Sequence, residues 1–103
     1  MKRFREKPFK IDFYFTTSRD EYKKSTVIDT SHSNGLCSVN YDYLKIWIGV
    51  FNGDIGTFNH ELLHALVFLN EMIGSKINME TNEFNAHHFG EITRKCYKEF
   101  IKQ

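Results

Sequence analysis

The chain has 103 residues, a formal net charge of +1, ten Phe, five Tyr and one Pro. This length allows a single modest core, and we expect residues 1–103 to form one domain. The balanced charge argues against a nucleic-acid or membrane partner. No apolar run approaches the length of a membrane span, and the basic start is not followed by the apolar segment of a secretion signal. These features predict a soluble protein of the cytoplasm.

Two segments alternate between apolar and polar residues, which is typical of strands with one buried face. In Lys10–Thr17 the apolar positions run from Ile11 to Phe15, and in Tyr43–Val50 they run from Leu44 to Val50. A further strand is predicted over Gly35–Tyr41, after a turn signal. The sequence therefore predicts a small sheet of about three strands.

Helical patterns occupy most of the second half of the chain. A capping-box pattern predicts a short helical turn over Ser18–Lys24. A long helix is predicted from residue 56 or 57 to Gly74, because glycine commonly ends helices. A second helix is predicted from about residue 79 or 81 to residue 101, with Gly90 in its middle marking a close approach to the first helix. The expected fold class is α+β.

The first long helix contains His60-Glu61-Leu62-Leu63-His64, an H-E-x-x-H pattern. The two histidines are four residues apart, so their rings project from one helix face, one turn apart. They can occupy two corners of a zinc tetrahedron, and Glu61 can then act as a general base on the water position. Apolar residues follow throughout 62–69. In such surroundings these polar groups would be costly without a partner, which indicates a buried metal site.

A zinc ion held by two histidines needs a third protein ligand. Glu71 lies on the same helix face but about 10 Å beyond His64 along the axis, so it cannot close the site. The second helix offers Glu83 and His87 on one flank of its apolar stripe. Glu83 follows His64 by enough residues for one helix to end and another to return antiparallel.

The two elements together resemble the gluzincin branch of zinc metallopeptidases, the thermolysin-like arrangement. That family pairs H-E-x-x-H with a downstream helix of N-E-x-x-S-D type, and Asn82, Glu83 and Ala86 match the second element. The chain is also similar to the very short gluzincin-like proteins of bacteriophage genomes. The resemblance implies a zincin-like minimal domain with zinc on His60, His64 and Glu83.

The same resemblance has implications for the cleft and for His87. It implies that part of Tyr43–Val50 forms the edge of the substrate cleft and pairs with an extended peptide. His87 departs from the carboxylate that the family usually has at this position. It is therefore either a hydrogen-bond acceptor for a zinc-bound histidine or itself a ligand in place of Glu83.

Other polar and aromatic residues are weaker candidates. His32 lies in a polar loop and is expected at the surface, although it, Tyr41 or Tyr43 could supply a donor to an oxyanion. Trp47 could line a cleft, but strand aromatics more often pack. His88 faces the polar side of its helix and is predicted to be a solvated surface residue.

Two functions are compatible with these patterns. The first is a zinc-dependent peptidase in which Glu61 takes the proton of the attacking water. The alternative is a non-catalytic zinc-stabilised structural or assembly protein, such as a phage particle component. The expected partner is a peptide or protein substrate, or a protein within a larger viral assembly. A phage-encoded chain would act in the host cytoplasm or the virion.

Overall fold

The computed structural model describes residues 1–74 and 82–102, which form a small α+β fold. The α+β class predicted from the sequence is confirmed. In chain order the elements are β1 (Lys2–Arg5), β2 (Asp12–Thr16), α1 (Arg19–Thr26), β3 (Gly35–Asn40), β4 (Lys45–Val50), α2 (Ile55–Ile73) and α3 (Asn82–Phe100).

The four strands form one mixed sheet in the order β1-β2-β4-β3. The central strand β4 is parallel to β2 and antiparallel to β3, so Ile48 lies opposite Phe15 on one side and Cys37 on the other. Both backbone edges of β4 are thus occupied. The expectation that part of Tyr43–Val50 forms a free cleft edge is wrong, and β3 is the edge strand on that side of the sheet.

Strand alternation places the core on one face of the sheet. The apolar core positions of β2 and β4 are those that the pattern predicted, with the exception of Leu44, which precedes β4 at φ 53° and is 37% exposed. Asp12, Thr16 and Gly49, on the other side of these strands, are buried as well, which the alternation did not predict. Helices α2 and α3 cover this face. The core residues are Ile11, Phe13, Phe15, Ile46, Ile48, Val50, Phe58, Leu62, Ala65, Leu69, Ile92, Cys96 and Phe100.

The opposite face of the sheet is partly covered by α1. Ser18 caps this helix by accepting a hydrogen bond from the backbone N–H of Glu21 at 3.2 Å, as the capping-box pattern predicted. Tyr22 packs over Gly49, where an added Cβ would lie 2.8 Å from the tyrosine ring. The absence of a side chain at Gly49 therefore allows α1 to approach the sheet closely.

Strand β1 was not predicted from the sequence. Its four residues include Lys2, Arg3 and Arg5, and only Phe4 is apolar. The strand pairs antiparallel with β2, which brings both arginines onto the buried carboxylate of Asp12, at 3.2 Å and 3.0 Å. Such pairing depends on residues distant along the chain, so local periodicity does not indicate it.

Helix α2 has defined caps at both ends. Asp54 accepts a hydrogen bond from the backbone N–H of Thr57 at 3.1 Å, and Gly74 ends the helix at φ +66°. Helix α3 begins at Asn82, while the predicted start at residue 79 or 81 lies outside the described residues. The predicted close approach at Gly90 is wrong. Among the described residues, which include all of α2, a Cβ there would meet only Nη1 of Arg94, at 3.8 Å.

Within the described ranges, no helix is long and apolar enough to cross a membrane.

Candidate metal centre

Helix α2 separates a packing face from a polar face. Phe58, Leu62, Ala65 and Leu69 are buried against the sheet, whereas His60 and His64 are exposed on the other side. The opposition of these two faces agrees with the predicted helical wheel. No second layer encloses the histidines within the described residues, since the neighbouring Leu63 and Val67 are 64% and 50% exposed. The expectation of an enclosed site was wrong because the apolar residues flanking the motif face solvent.

The two imidazoles are spaced as metal ligands would be. The Nε2 atoms of His60 and His64 lie 3.2 Å apart, with the rings edge to face. Zinc–nitrogen bonds of 2.0–2.1 Å in a tetrahedron place two ligand nitrogens about 3.3 Å apart. The ligand atoms of His60, Glu61 and His64 all lie within 4.8 Å of one another. This group is the only one of three or more such residues in the described part of the chain, and its donors fit a divalent metal.

Glu61 is the buried member of this group. Glu61 is 8% exposed, and no described residue donates a hydrogen bond to its carboxylate. Burial raises the pKa of its carboxyl, while the charges of the neighbouring His60 and His64 act in the opposite direction. Neither carboxylate oxygen of Glu61 is among the fully buried atoms without a partner, so the carboxylate keeps contact with solvent at the open cleft. A carboxylate in this position beside two imidazoles can contact a metal, or a water held by one.

The first residue of the edge strand holds Glu61 in place. A Cβ added at Gly35 would lie 2.7 Å from Cγ2 of Thr57 and 2.8 Å from Cγ of Glu61. Such separations are shorter than van der Waals contact, so only glycine lets β3 approach α2 this closely. The backbone of β3 at Gly35 therefore lies close against the Glu61 side chain.

An open cleft of about 480 Å³ lies directly beside the group. It runs between the start of β3 and the N-terminal turns of α2. His60 and Glu61 form one end. The remaining walls are Ser33, Asn34, Gly35, Asp54, Gly56 and Thr57. A molecule in the cleft would therefore contact both the candidate base and one candidate ligand.

The predicted third ligand is not part of this group. Glu83 lies in the first turn of α3, and Glu83 and His87 are both exposed. Neither contributes an atom to the group formed by His60, Glu61 and His64. The structure thus brings together two of the three predicted ligands and the predicted base, and the assignment of Glu83 or His87 stays a prediction.

His88 occupies a position that the sequence did not indicate. Its side chain is 8% exposed, and its Nε2 lies 2.7 Å from Oε1 of Glu6, itself 2% exposed. The prediction of a solvated surface residue was wrong because the partner lies 82 residues away in the chain. His88 therefore connects α3 to the segment that follows β1.

The other candidates lie elsewhere. His32 is exposed, as predicted, and Tyr43 is 73% exposed. The Tyr41 hydroxyl donates to Glu71 at 2.8 Å. Trp47 stacks on Tyr14 on the sheet face opposite the core and donates to Ser25. None of His32, Tyr41, Tyr43 and Trp47 lines the cleft.

Sequence reasoning missed Asp54 and the loop wall at residues 33–35 as parts of the cleft. Two local signals existed. Asn34-Gly35 is a turn signal, and Asp54 stands where a helix N-cap is expected, shortly before the motif. Neither signal reveals that the two turns meet, since that follows from the pairing of β3 with β4.

No protein-family model matches this chain, and neither a curated protein nor a solved structure matches it.

Proposed function

We propose that this protein is a zinc-dependent peptidase of zincin-like architecture, in which His60 and His64 hold the metal and Glu61 is the general base. The observation that carries the proposal is the position of Glu61, a largely buried residue with no hydrogen-bond donor among the described residues, beside two metal-spaced imidazoles and an open cleft. A bound zinc ion would polarise the scissile carbonyl and lower the pKa of the attacking water.

The chain's own residues account for proton transfer. In the metal-free chain burial raises the pKa of the Glu61 carboxyl, and His60 and His64 act in the opposite direction. As the base, Glu61 would accept the proton of the attacking water. Gly35 fixes the side chain, because any larger residue would displace Cγ of Glu61. A base held in one orientation beside the reacting water contributes about 10²–10⁴-fold to such reactions.

The edge strand supports a peptide as the substrate. Among the described strands β3 pairs only with β4, and its first residue forms part of the cleft wall. An extended chain can add to a free strand edge through main-chain hydrogen bonds. We therefore transfer to β3 the role in substrate binding that the sequence pattern assigned to β4. The proposed site of action is the cytoplasm, or the virion for a phage-encoded chain.

The third zinc ligand in this proposal is Glu83, with His87 as the alternative. Glu83→Ala should weaken zinc binding if it ligates, and His87→Ala should do so if the ligand is His87 instead. Because the ligand atoms of His60, Glu61 and His64 lie within 4.8 Å of one another, Glu61 could also bind the zinc ion directly. Glu61→Gln would then lower zinc affinity as strongly as a histidine substitution, whereas a base can be replaced with little change in affinity.

A second function is favoured by the exposed face of α2. His60 and His64 are exposed beside the apolar side chains of Leu63 and Val67, a surface that a protein partner could cover. Zinc would then have a structural or assembly role, for example in a phage particle.

The experiment that tests the proposal is a peptidase assay of the zinc-loaded protein and its Glu61→Gln variant on a mixed peptide library. The peptidase proposal predicts cleavage by the unmodified protein and a loss of about 10²-fold or more in the variant, with zinc content retained. Equal activity in the two proteins would contradict it. If His64→Ala unfolds the protein and no peptide is cleaved by any form, the structural role is supported instead.

A further inference from the structure

The cleft beside Glu61 is polar throughout. Its lining contains neither an apolar side chain nor a lysine or arginine, and its two acidic residues are Asp54 and Glu61. Besides these carboxylates, the lining presents the imidazole of His60, hydroxyls, an amide and glycine backbone. A cleft of this composition offers little to a large apolar side chain, because such a group would lose contact with water and gain few apolar neighbours.

The walls of the cleft are fixed by hydrogen bonds. Arg19 donates to the carbonyl oxygens of Thr30 at 3.2 Å and Ser33 at 2.9 Å. The N–H of Phe51 donates to the carbonyl of Asn34 at 2.8 Å. On the α2 side, the amide of Asn52 donates to the hydroxyl of Thr57 at 3.0 Å. The cleft is therefore largely formed before any ligand enters.

Asp54 lies at the end of the cleft remote from the histidines. It precedes His60 by six residues, which corresponds to about 9 Å along a helix axis. Its Oδ2 accepts the helix-capping hydrogen bond from Thr57, and the residue is exposed to solvent. A long cationic side chain that starts near Glu61 can reach Asp54, whereas a short one cannot.

Arg19 is a cation behind the wall formed by Ser33. Its guanidinium donates to the backbone behind the wall and lies 5.3 Å above the ring of Phe51. It is not a lining residue of the cleft. The fixed charge that a ligand meets at the remote end of the cleft is therefore that of Asp54.

The geometry points to a basic side chain, lysine or arginine, as the occupant of this cleft, and we propose that Asp54 selects it next to the scissile bond of a peptide substrate. This inference rests on the proposed peptidase function for the identity of the ligand as a peptide. Glu61, a largely buried residue without a hydrogen-bond donor among the described residues, lines the other end of the cleft and, as the proposed base, places the scissile bond there.

The test uses the zinc-loaded full chain and peptides that differ at one residue, before or after the central bond, carrying Lys, Gln, Leu or Glu. Binding is measured by fluorescence anisotropy on Glu61→Gln, and kcat/KM is measured on the unmodified protein. We expect the Lys peptide to be favoured about five- to tenfold over Gln, with Leu and Glu weaker. Asp54→Asn, made in both proteins, should remove this preference.

Asparagine is a matched replacement, because it caps helices about as well as aspartate and so leaves α2 intact. Asp42→Asn makes the same charge change at an exposed residue outside the cleft and should leave the preference unchanged. A Lys preference that survives Asp54→Asn, an equal or better response to Leu or Glu, or no binding of any peptide would overturn the inference.

The two proposals fail in different ways. Peptides that bind with an Asp54-dependent Lys preference but are never cleaved would refute the peptidase function and support the cleft assignment. Peptides that are cleaved in a Glu61-dependent manner without any charge preference would support the peptidase function and overturn the role of Asp54.

Discussion

Two regions of the molecule bury acidic residues, and the regions differ in whether the carboxylates have hydrogen-bond donors within the fold. Near β1 and β2, Glu6 is bonded to His88 and to the backbone N–H of Ile11, and Asp12 is bonded to Arg3 and Arg5. On α2, Glu61 is buried with no hydrogen-bond donor among the described residues. A buried carboxylate whose partners are all within the fold is explained by stability. One without a donor among the described residues that lines an open cleft is a candidate for contact with a ligand.

The largest expected effect is on the free energy of unfolding, when glutamate is replaced by glutamine at position 6 and, separately, at position 61. Glu6→Gln weakens the buried contact with His88 and should lower the free energy of unfolding by about 3 kcal/mol. Glu61→Gln removes a partly desolvated charge that has no hydrogen-bond donor among the described residues and is offset only by His60 and His64, so in metal-free protein it should be close to neutral. Urea denaturation of both variants measures the difference. Equal destabilisation would show that Glu61 is as structural as Glu6.

A second prediction concerns the support of Glu61 by β3. In Gly35→Ala the new Cβ would overlap Thr57 and Glu61, at a cost of about 2 kcal/mol by overpacking. If the proposed peptidase function holds, displacement of Glu61 should lower the rate of peptide cleavage by more than the stability loss accounts for. Assays well below the melting temperature separate the two effects. An unchanged kcat in a folded Gly35→Ala protein would contradict the positioning role.

Acid should weaken the first region through Asp12. Its pKa is lowered chiefly by the hydrogen bond from Arg5, with Arg3 also contributing. Because the folded pKa lies below the unfolded one, this stabilisation is present above the unfolded pKa and is lost as pH falls through the folded pKa.

Asp12→Asn should therefore cost about 1–2 kcal/mol at pH 7 and progressively less in acid. Thermal melts from pH 7 to pH 2 compare it with the unmodified chain. A destabilisation that is the same at every pH would show that the arginine contacts do not depend on the charge of Asp12.

The smallest expected effect is at Gly90. A Cβ at this position meets only the side chain of Arg94, at 3.8 Å, so Gly90→Ala should stabilise α3 by about 0.5–1 kcal/mol. It also serves as the control for Gly35→Ala, as the same substitution in open space. A loss of stability would indicate a close neighbour that the described residues do not include.

Local patterns in the sequence predicted what depends on neighbouring residues. The alternation around Ile46 and Ile48, the end of α2 at Gly74 and the cap at Ser18 are all set within a few positions of the chain. The same holds for the pairing of His60 with His64, which follows from helical spacing alone.

What escaped prediction depends on distant residues. The central place of β4 follows from its pairing with β2 and β3, and the burial of His88 follows from Glu6 at the other end of the chain. The cleft requires the turn at Gly35 to meet the start of α2 at Asp54. A single sequence contains no local signal for these contacts, although local patterns did indicate the turn at Gly35 and the helix start near Asp54.

The most direct test of the metal centre is a calorimetric titration of the metal-free protein with Zn²⁺, repeated on His64→Ala. The account predicts one ion bound per chain, and an affinity at least about 100-fold lower in the variant, because one of the two metal-spaced imidazoles is lost. Absence of binding, or equal binding by both proteins, would contradict the assignment of His60, Glu61 and His64 as a metal centre.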